Sequence, residues 1–437
     1  LKFIKDTLIT FSTQIITVVL GIAVAIVIAR VLGPEGKGAY SLIILIPGLL
    51  ALVGNLGIGI ANTYFGGSRK HDWAKLASNS LISALALGIL VVAAFLAYFF
   101  IFNPSFLKEV EPQCVLLATL VVPLSLLTMY FRAILLGQDR INEYNLVHLA
   151  QSGTLLVLVL LLLLAFKGGV FDTIIAWTSG TLIATILSIL LVRKTTNIRW
   201  SLYPVALKDS VKFGVKGYLS NVIQFLNYRL DMLLVAFFMS VTFVGYYSIS
   251  VAMAEALWYF PAAVGTVIFA RTPGMSAEEA NISTPRICRN TFFITILAAI
   301  VLAAFGKYII MLFFGSAFLP ALKPLWILLP GIVALSICKV LSNEITGRGK
   351  PLINTVAAGV SLAVNIPLNL LLIPRIGIAG AALASTISYT VTAIIVLIAF
   401  MRISGNSLSD TIIIKPQDFR IYTGLLSKGR RLRFWKR

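Results

Sequence analysis

Long apolar runs recur along this chain too often for a water-soluble core. Twelve segments of about 20 to 28 residues are predominantly apolar: 7–29, 39–64, 78–102, 113–136, 146–166, 171–192, 215–239, 243–270, 291–314, 323–346, 352–373 and 378–401. At ~1.5 Å of rise per residue, each is long enough to cross ~30 Å of hydrocarbon as a helix. Lipid offers the backbone no hydrogen-bond partners, so a run of this length satisfies its own amides by coiling. The pattern predicts an all-α polytopic membrane protein with twelve transmembrane helices. Composition agrees, since 59% of the 437 residues are hydrophobic, 12% are charged and the mean hydropathy is +0.96.

A net charge of +20 would suggest nucleic acid in a soluble chain, but the placement of the charges gives another reason for it. With the N-terminus inside, the termini and even-numbered loops hold 28 Lys and Arg and the opposite side holds 7. That asymmetry follows the positive-inside rule, puts both termini in the cytoplasm and leaves no call for a nucleic-acid partner. The start LKFIKDTL lacks a cleavable signal pattern and reads as the approach to a first membrane helix. Cys114, Cys288 and Cys338 stand alone with no metal-ligand spacing and read as packing residues. GRGK at 347–350 lacks the upstream glycine and the hydroxyl of a phosphate loop, so no ATP hydrolysis is expected.

Against this background residues 221–255 are anomalous, because Arg229, Asp231 and Glu255 sit within apolar sequence. A charge at the bilayer centre costs at least ~2.5–3.5 kcal/mol, so such residues face a protein interior or a wet cavity. On a helix, Asn221, Gln224, Asn227, Tyr228 and Asp231 share an arc of about 120°, a polar stripe, with Arg229 on nearly the opposite side. If the chain turns near Ser240, Arg229 and Glu255 lie at similar depths and are candidates for an interhelical ion pair, functional or purely structural. Asn55 either lines a cavity or makes an interhelical hydrogen bond, and Asn354, Ser361, Asn365 and Asn369 form either a cavity face or a helix seam. His71, Glu109 and Glu111 read as solvated loop residues, and His148 as a hydrogen-bonded helix residue. Lys339, Asn343 and Glu344 are a possible gate or a local pairing.

The second half echoes the first. A shift of 207 sets Gly38 over Gly245, Tyr40 over Tyr247 and Ser41 over Ser248, with Lys5 over Lys212 and Gln14 over Asn221. The expected division is an N-terminal six-helix bundle (1–192), a basic linker (193–214), a C-terminal six-helix bundle (215–402) and a polybasic tail (403–437). Two repeated bundles are a transporter signature. The halves are not chemically equal, because Ile22 and Val24 stand where the repeat would place Arg229 and Asp231. The linker and the tail, rich in Lys and Arg, are suited to an anionic membrane surface.

ARVLGPEGKGAYSLI, the NYRLDMLLVAFF segment followed by VGYYSISVAMAEALWYFP, and NEITGRGKPLINT with NIPLNLLLIPRIGIAGAALAS resemble the polysaccharide transporter (Wzx-type) family of lipid-linked oligosaccharide flippases, in the MOP exporter superfamily. The resemblance implies a MATE-like fold of two six-helix bundles with alternating access. It implies transfer of a polyprenyl-pyrophosphate-linked oligosaccharide from the inner to the outer leaflet of a prokaryotic plasma membrane, without catalysis or a bound cofactor but with coupling to a proton or sodium gradient. It further implies membrane lipids, a polysaccharide polymerase and assembly proteins as partners. Asp231 and Arg229 match the RLD segment of that family. A cation-coupled multidrug exporter of the same superfamily is the alternative. A peptidoglycan-precursor flippase is disfavoured by a count of twelve spans instead of fourteen, and a membrane glycosyltransferase by the short outer loops.

Overall fold

The structure, a computed structural model, describes residues 2–418, so most of the polybasic tail lies outside the described residues. Among these the regular structure is entirely helical: α1 (Lys2–Gly54), α2 (Ile58–Gly67), α3 (Trp73–Phe102), α4 (Pro112–Thr119), α5 (Val122–Gly137), α6 (Ile141–Leu160), α7 (Val170–Arg193), α8 (Pro204–Phe238), α9 (Val241–Glu255), α10 (Tyr259–Arg271), α11 (Ala277–Phe313), α12 (Leu322–Gly347), α13 (Leu352–Ile376), α14 (Ile378–Ser404) and α15 (Leu408–Ile412), joined by short loops and single turns. Ten helical stretches among the described residues are long and apolar enough to cross a membrane, which makes this a multi-pass membrane protein. The difference from the twelve expected spans lies in two places. Expected helices 1 and 2 fall within the single stretch α1, which a non-helical residue divides between them, and α8, which contains the expected seventh span, is not among the ten.

Gly33 divides α1. Its φ of 67° and ψ of −171° are non-helical, a left-handed φ that glycine adopts without a Cβ clash, and Pro34 then opens the next helical stretch. Gly36 and Gly38 remain helical. The stretch Ile9–Gly54 has 46 residues, about 69 Å of helix, more than twice the ~30 Å hydrocarbon thickness.

The chain forms two compact units, one of Leu1–Ile249 with Tyr308–Ala321 and Ile373–Ile378, the other of Ser250–Lys307, Leu322–Leu372 and Ala379–Arg437. In the first, α3 packs on α5 and α6 on α1 and α7, around Leu126, Tyr130, Phe131 and Ile134. Small polar side chains tie these helices, as membrane helices do where apolar burial gives little drive to associate. Asn62 Nδ2 donates to Ser80 Oγ at 2.7 Å, Thr128 and Thr185 hydroxyls lie 2.8 Å apart, and Thr63 Oγ1 donates to the Ala133 carbonyl at 3.0 Å.

Two backbone crossings in this unit require glycine. A Cβ on Gly38 would stand 1.9 Å from the Val241 carbonyl oxygen, and one on Gly245 would stand 2.0 Å from the Pro34 oxygen. The two halves of this contact are images of each other under the 207-residue shift, which maps Pro34 on Val241 and Gly38 on Gly245. Beside it, the Val241 amide donates to Glu109 Oε2 at 2.6 Å, so Glu109 caps α9, a role beyond that of a solvated loop carboxylate. In the other crossing, a Cβ on Gly57 would lie 2.3 Å from the Gly214 oxygen, joining α2 to α8. His71 likewise departs from its expected solvation: its side chain is 13% exposed and Nε2 lies 3.1 Å from Asp209 Oδ2. Lys70, 2.8 Å away, and His71 hold the Asp209 carboxyl below its ordinary range.

The linker is mostly extended before α8. The Arg199 amide donates to Ser78 Oγ at 2.9 Å, and Asn79 both accepts from the Tyr203 amide and donates to its carbonyl, at 2.8 and 3.0 Å. These bonds fasten it to α3 while Trp200 stays 74% exposed.

In the second unit α10 packs on α12, with a Cβ on Gly265 placed 2.1 Å from the Lys339 oxygen. The chain after α14 folds back onto α11. Arg289 makes a two-pronged ion pair with the buried carboxylate of Asp418 and donates to the Asp410 carbonyl at 2.9 Å, and Asn406 donates to the Asn281 carbonyl at 2.9 Å. Arg289 thereby holds the Asp418 carboxyl down to about 2.

Candidate functional site

The polar stripe foreseen on α8 exists as a gradient of burial. Asn221 and Gln224 are exposed, Tyr228 and Arg229 half-buried, and Asn227 and Asp231 buried at 3% and 2%. A carboxylate removed from water needs donors to remain tolerable. The donors to Asp231 include the Tyr247 hydroxyl on Oδ2 and the Met232 amide on Oδ1 at 2.7 Å. Tyr247, fully buried on α9, follows α8 after a two-residue turn, so the α8–α9 hairpin brings hydroxyl and carboxylate together. The repeat-related pair has no acid: Val24 stands at the position matching Asp231 and Tyr40 at that matching Tyr247, and both are buried. Arg229 Nη1 donates to the Tyr228 carbonyl at 3.5 Å, and Arg229 belongs to the first unit while Glu255 belongs to the second.

A second polar centre surrounds Asn55. The expected span 39–64 is interrupted there: Leu56 and Gly57 take left-handed φ of 49° and 72°, which frees carbonyls at the end of α1. Broken helices in membranes persist where neighbours re-satisfy those groups. Tyr130 on α5 does so, its hydroxyl donating to the Asn55 carbonyl at 2.8 Å, and Tyr218 on α8 lies close to the Asn55 side chain. Asn55 therefore serves an interhelical contact at a break, with its Oδ1 buried and unpartnered among the described residues. Tyr130 and Tyr218 escaped the sequence reading, since a tyrosine in an apolar run carries no charge to mark it. The GNLGIG sequence around the break was the available signal.

The second unit holds the remaining candidates. Asn365 and Asn369 are wholly buried on α13, Asn369 Nδ2 donating to Asn365 Oδ1 at 2.9 Å, while Asn365 Nδ2 and Asn369 Oδ1 find no partner among the described residues. Ser361 donates to the Ser388 carbonyl on α14 at 2.8 Å, so the α13 polar row works at least partly as a helix seam. Glu255 acts electrostatically on Lys339, whose Nζ stands 4.8 Å above the Trp258 ring. Glu344 pairs with Arg348 one turn along α12, and Asn343 donates back to the Lys339 carbonyl at 2.8 Å, both local interactions.

Chemically, these centres present amides, phenols, a carboxylate and guanidinium or ammonium groups within membrane helices. Such groups bind and exchange hydrogen bonds with a polar solute. Among the described residues no group of three or more His, Cys, Asp or Glu could hold a metal ion.

The profile of the family described as "Polysaccharide biosynthesis protein" matches residues 27–323. An uncharacterized membrane protein of Methanocaldococcus jannaschii, MJ1068, is 28% identical over 178 residues, 40% of this chain and 34% of that protein. A protein of Haloferax volcanii named "Probable low-salt glycan biosynthesis flippase Agl15" is 24% identical over 192 residues, 43% of this chain and 39% of that protein. The matched stretches thus span between a third and two-fifths of the length of these relatives. Among solved structures, the lipid II flippase MurJ in an inward closed conformation superposes with a TM-score of 0.75 at 19% identity, over 95% of this chain and 93% of that one. An inward-facing multidrug resistance MATE family transporter of the MOP superfamily superposes with a TM-score of 0.70 at 18% identity, over 89% and 95%. The chain shares the fold of these structures, and with well over half of its length matched by the family profile it belongs to the polysaccharide biosynthesis protein family.

Proposed function

We propose that the protein moves a polyprenyl-pyrophosphate-linked oligosaccharide from the inner to the outer leaflet of a prokaryotic plasma membrane by alternating access, for cell-surface polysaccharide synthesis. The observation that carries this reading is the family match over residues 27–323, to which the flippase-named relative in Haloferax volcanii adds support. The chemistry of the helices fits. A pyrophosphate sugar head cannot cross hydrocarbon unaided, because burying unpaired charge and many hydroxyls costs several kcal/mol per group. Asn221, Gln224, Asn227 and Tyr228 on α8 would trade hydrogen bonds with sugar hydroxyls, and Arg229 would meet phosphate. Asp231 and Glu255 are the titratable candidates for coupling to a proton or sodium gradient, and Asn55 and Asn365 are further candidates for substrate binding or coupling. In this reading both termini lie in the cytoplasm, and a polymerase and assembly proteins would take up the product on the opposite face of the membrane.

A strain lacking the gene tests the proposal. It should lose surface glycan and accumulate the lipid-linked precursor in the cytoplasmic leaflet, and the intact gene should restore both. Arg229→Ala should reach the membrane yet fail to restore export, and normal export by that variant would remove Arg229 from the mechanism. Unchanged glycan together with increased sensitivity to organic cations would favour the drug-exporter alternative.

A further inference from the structure

Lys37, a buried cation in the first unit, has no anionic counterpart among the described residues. Lys37 on α1 is 7% exposed, and its Nζ donates to Ser41 Oγ at 2.9 Å and lies 5.5 Å from the centre of the Tyr40 ring. Both neighbours are themselves buried, at 6% and 5%. An ammonium has three donors, and a single hydroxyl satisfies one of them. Among the described residues Lys37 enters no ion pair.

Two enclosed cations of this protein have acids: Arg289 has Asp418 and Arg348 has Glu344. Arg132 instead lies over the Tyr144 ring, 4.5 Å from its centre. A methionine or leucine at position 37 would fill similar space without the penalty of a buried charge, so packing does not explain a lysine there. The residue lies one position before Gly38, at the crossing where α1 and α9 touch backbone to backbone. A crossing that leaves no room for a Cβ buries its neighbours only while it stays closed. Parting of α1 from α9 would uncover the Lys37 ammonium with two donors unspent.

We infer that Lys37 is an anion-binding residue at the α1–α9 crossing, receiving a phosphate or pyrophosphate group when the two helices part. Its place on the side of the membrane poor in basic residues makes it a station for the head group after passage, separate from Arg229. That the anion is the substrate's own pyrophosphate rests on the flippase reading; the anion class does not.

The test uses the purified full-length chain in detergent, with farnesyl pyrophosphate, inorganic pyrophosphate, phosphatidylglycerol micelles and farnesol as probes. Farnesyl pyrophosphate should bind the parent protein and Lys37→Arg, and bind Lys37→Met about ten- to hundredfold more weakly, the loss of one charge-assisted contact. Farnesol should not bind. Lys37→Met should be at least as heat-stable as the parent without ligand. Equal affinity of parent and Lys37→Met overturns the inference, as does a large loss of stability in Lys37→Met with farnesyl pyrophosphate binding retained in Lys37→Gln. Equal tightening by inorganic pyrophosphate or by phosphatidylglycerol keeps the anion site and reassigns its source to a free anion or a lipid head group. The two readings fail separately: a strain lacking the gene with normal glycan removes the flippase function and leaves the binding result standing, whereas restored export with Lys37→Met and undiminished binding removes only Lys37.

Discussion

Replacing Gly245 by alanine tests the reciprocal crossing of α1 and α9. The added Cβ would stand 2.0 Å from the Pro34 carbonyl oxygen and 3.2 Å from the Gly38 nitrogen, whereas real Cβ atoms keep at least 3.0 Å. Both obstacles are backbone, so no rotamer change relieves them and the helices must separate locally by about 1 Å. Overpacking of this kind costs ~1–3 kcal/mol, against ~0.5–1 kcal/mol gained by removing a helix-interior glycine, for a net loss of about 1–2 kcal/mol. Gly38→Ala should lose a similar amount, since its Cβ meets the Val241 oxygen at 1.9 Å. Because one separation relieves both clashes, the double variant should be scarcely worse than either single one, a favourable coupling on the order of 0.5–3 kcal/mol. Retention of the monodisperse peak on size-exclusion chromatography after stepwise heating reports this, with Gly21→Ala, whose Cβ would meet nothing within 4 Å, as the clash-free control. Strictly additive losses, or Gly245→Ala as stable as Gly21→Ala, would refute the reciprocal contact.

Gly57→Ala should destabilise more than Gly214→Ala, since both clash at their crossing but only Gly57 has φ of 72°, which adds ~1–2 kcal/mol for a residue with a Cβ; equal melting points would contradict this. Asp418→Asn should strand the buried Arg289 guanidinium, at a cost of ~3–5 kcal/mol, and expose the segment after Ser404 to limited proteolysis, while the apolar pair Arg289→Met with Asp418→Leu should recover protection. The same ion pair sets a pH dependence. A carboxyl lowered to about 2 contributes its full stabilisation above the ordinary Asp value and loses it as pH falls through that range, so pepsin should leave the segment intact near pH 4 and cut it toward pH 2.

Much of this organisation was legible in the sequence because lipid simplifies the problem. Apolar runs of spanning length have few other outcomes, and the sidedness of Lys and Arg and the 207-residue echo need no knowledge of packing. The stripe on α8 followed from helical periodicity alone, and it holds as a gradient of burial from Asn221 to Asp231. The chain's interruptions were harder to place. The glycines at 33, 36 and 38 look alike in sequence, yet only Gly33 leaves the helix, while Gly38 is required by a neighbour over 200 residues away.

Sequence by itself determined that the protein is helical, membrane-spanning, internally repeated and marked by costly charges in its second half, since each of these depends on local periodicity or on the price of polarity in lipid. Tertiary structure alone decided which polar groups meet. Tyr247 came to Asp231, Tyr130 and Tyr218 to the break at Asn55, and Asp418 to Arg289. It also left Lys37 enclosed without an acid. A hydrogen bond needs its partners within about 3 Å, and at that range the identity of the neighbour is set by how helices cross, which the order of residues along one helix does not contain.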